Sequence, residues 1–181
     1  MQTAKERKAF TMQVAHNAET MLATHYEKGR LQIAGEGTGF TRGFLKRDGV
    51  GYKLARAPGY RRFNIFEYTQ YWKFCDSMRR HVITPYYMTQ CGSVTAWELV
   101  TPWNLAAHYR LTDEMIYQSI KFNNVLIEGL MESGWREADA KDAMSDNHTG
   151  NFGLRDDDSL VWIDFAAPKL NGGLWEEPQM K

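Results

Sequence analysis

Met144-Ser145-Asp146-Asn147-His148-Thr149-Gly150-Asn151-Phe152-Gly153-Leu154-Arg155-Asp156-Asp157-Asp158-Ser159-Leu160-Val161-Trp162-Ile163-Asp164-Phe165 is the stretch on which the fold turns. Asp146 is followed five positions later by Asn151, and Asp164 comes 13 positions after that, closing the apolar run Leu160 to Ile163. A carboxylate, an amide and a second carboxylate around a short hairpin suit phosphoryl transfer. One carboxylate can orient an attacking hydroxyl, while the amide and the other carboxylate hold magnesium against nucleotide phosphates. The same residues also read as a plain β-hairpin between turn residues. Asp156, Asp157 and Asp158 read as its solvated tip, and His148 as a hydrogen-bonding residue that shapes the loop.

Composition narrows the classes. The chain has 181 residues, 43% of them hydrophobic and 13% aromatic, enough for a core in one domain or two intimate lobes. A formal net charge of zero argues against a broad nucleic-acid or anionic-membrane surface. Cys75 and Cys91 have no zinc or redox spacing and read as reduced thiols. No apolar run is long enough for a membrane span, and the first residues lack the pattern of a signal peptide. The expectation is a soluble, cytoplasmic protein with no nucleic-acid or membrane partner.

Working back from the opening stretch, residues 112–134 read as a long helix with an apolar face of Met115, Ile116, Ile120, Leu126, Ile127, Leu130 and Met131. Asp113 and Glu114 complement its dipole and Gly134 is its stop. Residues 135–143 read as a charged loop or helix face. Residues 85–88 and 94–100 read as strands around Cys91-Gly92-Ser93. Residues 63–80 read as a helix with Asn64 as N-cap and Glu67 at the capping-box position. Residues 31–55 read as three short strands. A glycine-rich loop, Gly35-Glu36-Gly37-Thr38-Gly39-Phe40, joins the first two, and Asp48-Gly49 makes the hairpin turn into the third, which carries Lys53. Glycines let backbone N–H groups approach phosphates, although a plain β-turn has the same composition. Residues 3–28 read as an amphipathic helix with Phe10, Val14, Met21, Leu22 and Tyr26 on one side, stopped by Gly29. It either braces the small lobe or serves a partner.

The pattern Asp146-x-His148-x-Gly150-Asn151, followed by Asp164-Phe165, resembles the catalytic and metal-binding loops of the protein-kinase-like superfamily. Its form is most similar to the aminoglycoside-kinase branch and to small kinase-like proteins of tailed bacteriophages. The resemblance covers roughly residues 31–168. It implies an α+β fold: a minimal bilobal kinase-like architecture with a small antiparallel-sheet lobe and a truncated helical large lobe. Its divisions would be an N-terminal helix over residues 1–30, a nucleotide-binding lobe over 31–101 and a catalytic-loop lobe over 102–181. It further implies ATP and Mg2+ as cofactors. Asp146 would orient the substrate hydroxyl, and Asn151 and Asp164 would bind magnesium. Lys53 would contact the α- and β-phosphates, with Glu67 holding it. Gly35, Gly37 and Gly39 would cover the phosphates, and the backbone of Glu98, Leu99 and Val100 would meet adenine.

Three features depart from the family pattern. The third glycine of the loop comes one place early. Met144 stands where many relatives have histidine. Asp164-Phe165 is followed by Ala166 rather than glycine. Only 17 residues follow Asp164, which leaves no room for a long activation segment and peptide-docking helices. Two function classes follow. One is an ATP/Mg-dependent phosphotransferase acting on Ser/Thr of host proteins, with a small-molecule hydroxyl as second acceptor. Transfer of AMP by the same residues is a further variant. The other is a weak or inactive kinase-like protein that inhibits a host factor by direct contact.

Overall fold

The computed structural model describes residues 3–32, 41–103, 113–145, 147 and 149–165. The chain mixes helices with antiparallel sheets. It divides into two compact units: the residues up to Thr69 with Thr84–Leu99, and Gln70–Ile83 with the residues from Val100 onward. The N-terminal helix lies in the first unit and the segment Gln70–Ile83 in the second.

The first unit is built on a four-stranded antiparallel sheet of order β3-β4-β6-β5, with β3 Arg42–Arg47, β4 Val50–Ala55, β5 Pro85–Met88 and β6 Val94–Glu98. Asp48 and Gly49 connect β3 to β4 with φ of 51° and 73°. This left-handed pair matches the right-handed twist of two paired strands, as the sequence leads one to expect. It sets the register Arg42↔Ala55 and Phe44↔Lys53.

Every residue of β4 is buried. Side chains alternate between its faces, so both must be covered. Helix α1 (Ala4–His25) covers one, packing Val14, Ala18 and Met21 against Val50, Tyr52, Leu54, Val94 and Ala96. Each buried Val, Leu or Met side chain among them contributes on the order of 1.5–3 kcal/mol. The other face carries Gly51 and Lys53 and meets α2 (Arg61–Lys73) through Asn64, Glu67 and Tyr68. Asn17 of α1 is buried and donates to the Asp48 carboxylate (3.0 Å) and the Tyr52 hydroxyl (3.4 Å). The helix therefore grips the turn that sets the sheet's register. The helix packs on the sheet through Val14, Ala18 and Met21.

Several elements differ from the sequence reading. Helix α1 ends at His25, and Lys28-Gly29, with φ of 48° and 77°, turns a short hairpin between β1 (Tyr26–Glu27) and β2 (Arg30–Leu31). The first of the three expected strands thus pairs backward with β1 instead of joining the four-stranded sheet. The Tyr26 hydroxyl, beside the carbonyls of Ala55 (2.8 Å) and Ser93 (2.9 Å), ties this hairpin to the end of β4. Asn64 is not an N-cap. It lies inside α2, fully buried, and its amide donates to the carbonyls of Gly92 (3.0 Å) and Ser93 (3.1 Å).

The single helix expected over 63–80 is two. After α2 the chain becomes extended at Cys75, whose N–H donates to Ser133 Oγ (3.0 Å), and resumes as α3 (Asp76–Arg79). That tertiary bond competes with continuation of the helix.

In the second unit, α3, α4 (Asp113–Glu132) and α5 (Glu137–Met144) accompany a three-stranded antiparallel sheet. Its order is β7-β8-β9, with β7 Thr101–Pro102, β8 Phe152–Leu154 and β9 Leu160–Trp162. Phe122, Leu126 and Leu130 of α4 are buried with Phe74, Met78, Phe152, Val161 and Trp162. The apolar face expected for α4 is divided: Leu126 and Leu130 enter the core, while Ile116 and Ile120 are 46% and 56% exposed. Gly153 lies where a Cβ would overlap Val100 Cγ2, so the chain just before β7 comes too close to β8 for a side chain there. Among the described residues, no helix is long and apolar enough to cross a membrane.

Candidate functional site

Lys53 sits at the centre of β4 and points to the α2 side. Its ammonium donates to Glu67 Oε2 at 2.8 Å. Glu67 is fully buried and Lys53 is 8% exposed. Lys53 Nζ also lies 5.1 Å from the centroid of the Trp97 ring, a favourable position for a cation over an aromatic face. Burying charge is costly unless it is paired and hydrogen-bonded. Here the pairing holds a lysine ammonium in one place and sets its direction. The capping-box role open to Glu67 is not the one adopted, because its carboxylate faces β4.

Arg42, on β3, donates to the same oxygen of Glu67 at 2.6 Å. The sequence reading missed it. The signal was present: a two-residue turn at Asp48-Gly49 fixes the register, and that register puts Arg42 and Lys53 on one face of the hairpin.

In the second unit, Asn151 ends a short 3-10 turn (Thr149–Asn151) and precedes β8. Phe152 pairs with Trp162, and the Ile163 N–H donates to the Asn151 carbonyl at 2.8 Å. This register brings Asn151 and Asp164 to the same end of the β8–β9 hairpin. Both are partly exposed, and each is followed by a buried phenylalanine. Phe152 (0% exposed) packs on Phe122 and Trp103, and Phe165 (1%) packs on Phe74 and Trp162. The aromatic anchors fix the backbone beside these two partly exposed residues. Amide and carboxylate oxygens are hard donors of the kind magnesium accepts, since that ion needs few protein ligands beside water and phosphate.

Upstream, Asn147 donates to Asn123 Oδ1 of α4 at 2.9 Å, and Met144 closes α5 with a buried side chain. At the tip, Asp156, Asp157 and Asp158 are exposed, and Asp157 accepts from the Ser159 N–H (3.0 Å). Its hydrogen bonds from Ser159 lower its pKa, as an ordinary turn would.

The remaining candidates are placed as follows. Glu98 ends β6; its N–H donates to the Thr84 carbonyl (2.8 Å) and its carboxylate accepts from the Thr84 N–H (3.0 Å). That N–H is therefore committed within the chain. Leu99 and Val100 lie between β6 and β7, outside regular structure. Gly35, Gly37, Gly39, Asp146 and His148 lie outside the described residues.

Compared with protein-family models and with curated proteins, the chain matches none.

Proposed function

We propose that this chain is an ATP- and magnesium-dependent phosphotransferase of the protein-kinase-like type, with a Ser/Thr hydroxyl of a protein as acceptor. The observation that carries the reading is the buried Lys53–Glu67 pair at 2.8 Å. A strand lysine held by a helix glutamate is a part that kinase catalysis requires to be in place. A lysine on a strand is more often an exposed edge charge, whereas this one is central and covered on both sides.

Lys53 would hold the nucleotide phosphates, with Glu67 keeping its ammonium aimed. Asn151 and Asp164 would hold magnesium, which supplies charge neutralisation at the transferring phosphoryl group. Asp146 takes the role of orienting the acceptor hydroxyl, by its place in the motif. The acceptor class rests on the resemblance to phage kinase-like proteins.

The test is transfer of label from ATP carrying a labelled γ-phosphate, with magnesium, with and without bacterial lysate. The expected result is label on the protein or on a lysate band, absent with Asp146→Ala and Asp164→Ala. Folded wild-type protein that binds ATP and transfers no label to itself or to any lysate band would overturn the reading.

A further inference from the structure

Helix α4 (Asp113–Glu132) carries more apolar surface than the core of the second unit takes up. At 3.6 residues per turn, Ile116, Ile120, Ile127 and Met131 fall within an arc of about 60°. That arc lies beside the face on which Phe122, Leu126 and Leu130 are buried. Ile116, Ile120 and Met131 are exposed and Ile127 is half-buried. Apolar residues scattered singly over a surface need no explanation. These instead line up as a straight stripe, about 22 Å long at the rise of an α-helix. Beyond the stripe runs a charged row of Glu114, Lys121, Glu128 and Glu132, all exposed. With Asp113, the helix presents four carboxylates and one ammonium, in a chain whose formal net charge is zero. The Lys121 ammonium lies 5.8 Å from the centroid of the Tyr117 ring on its own helix. The apolar stripe is thus bordered by negative charge.

We infer that this stripe docks an amphipathic helix of another protein, one whose apolar side is flanked by Lys or Arg. A helix surface offers no backbone edge for an added strand, so the matching shape is a second helix with apolar side chains three and four apart. The charges decide between occupants. Two copies of α4 packed antiparallel would set Asp113 and Glu114 against Glu128 and Glu132. Packed parallel, they would set each carboxylate against its own counterpart. Like charges across a contact oppose both pairings. Residues 166–181 carry Glu176 and Glu177 next to Leu174-Trp175, which is again the same sign. An anionic lipid surface attracts basic segments and repels this one. A basic amphipathic helix satisfies the stripe and its border together. None of the residues assigned to phosphoryl transfer takes part.

The probes are two labelled peptides of about 16 residues, long enough to run the length of the stripe as a helix. Both carry leucines at the spacing of one helix face; one has lysine on the flanks and the other glutamate. Fluorescence anisotropy measures their binding to the full chain at low and high salt. The proteins are the wild type, the double variant Ile116→Ser with Ile120→Ser, and Glu128→Lys, each with its melting temperature recorded. The lysine peptide is expected to bind the wild type at least about tenfold more tightly than the glutamate peptide, a preference that shrinks with salt. The double serine variant should weaken the lysine peptide at least about tenfold without a change in melting temperature. Glu128→Lys should weaken the lysine peptide and strengthen the glutamate peptide, and it carries the test if the serine variant melts lower. Equal binding of the two peptides, binding of neither, or binding indifferent to all the substitutions overturns the docking site. Wild-type dimers that are lost in the serine variant overturn it too, since the stripe is then a contact between copies. Binding to neutral phospholipid vesicles that is lost in the same variant overturns it in favour of lipid.

Discussion

The two units handle polar groups in opposite ways. In the first, Arg42, Lys53 and Glu67 are enclosed between a sheet and a helix, and the carboxylate is almost wholly shut off from solvent. In the second, Asn151 and Asp164 stand partly exposed at the end of a short hairpin, and the burial falls on their neighbours Phe152 and Phe165. An enclosed ion cluster must be right before any ligand arrives, because misplacing one member strands a charge in a medium that solvates it poorly. A hairpin end with anchored neighbours needs only its backbone fixed and can leave its oxygens wet. The first arrangement suits a group whose charge must not vary. The second keeps two polar residues partly exposed beside a fixed backbone.

That contrast can be broken most forcefully at Glu67. Glu67→Leu keeps volume but leaves Arg42 and Lys53 without their shared carboxylate, so stability should fall by about 3–5 kcal/mol in urea unfolding. A loss below about 1 kcal/mol would mean that the enclosure is looser than the geometry indicates. At the hairpin end the balance should reverse. Asp164→Asn and Asn151→Ala should leave stability within about 1 kcal/mol while lowering magnesium-dependent label transfer at least about 100-fold, or roughly 2.7 kcal/mol in barrier. A large change in unfolding midpoint with transfer intact would show these residues to be structural.

A smaller effect is expected at Asn17, whose buried amide links α1 to Asp48 and Tyr52. Asn17→Ala should cost about 1–2 kcal/mol and should loosen Lys53 only indirectly, weakening ATP binding less than Lys53→Ala does.

The smallest effect belongs to His81 in the second unit. Its pKa is lowered, chiefly by burial and then by Arg155 and Arg80. The unfolded chain therefore takes up more protons than the folded one below about pH 6.5. Stability from this group is complete above that pH and declines as pH falls through the lowered folded value. His81→Gln should flatten the slope of unfolding free energy against pH in that window. An unchanged slope would assign the acid sensitivity elsewhere.

Legibility followed how local each determinant was. The Asp48-Gly49 hairpin, the bounds of β4 and the bounds of β5 could be read directly, because turn chemistry and alternation act within a few residues. Asn64 was misread because its residue type favours caps, while three-dimensional packing uses its amide to hold the Gly92–Ser93 turn. The break at Cys75 depends on Ser133, 58 positions away, and no local signal carries that. Lys53 and Glu67 could be named as a pair only through the family resemblance, whose order of parts they follow, while local signals left Glu67 open to a capping role. Arg42 could be added only by following the register across the turn, since its own neighbours read as an ordinary basic strand. The apolar pattern of α4 showed which residues were greasy but not which side faced the core, so Ile116 and Ile120 were grouped with Leu126 and Leu130.

The burial of β4 has a further consequence for how the molecule comes apart. A central strand with neighbours on both edges and helices on both faces is a place where backbone amides exchange with solvent most slowly, because they open only when most of the unit does. Lys53 is carried on that strand. Thermal breathing that frays the strand edges or the β1–β2 hairpin would leave the lysine in register. The charged group would then lose its place only with the collapse of the whole sheet, in a single cooperative step.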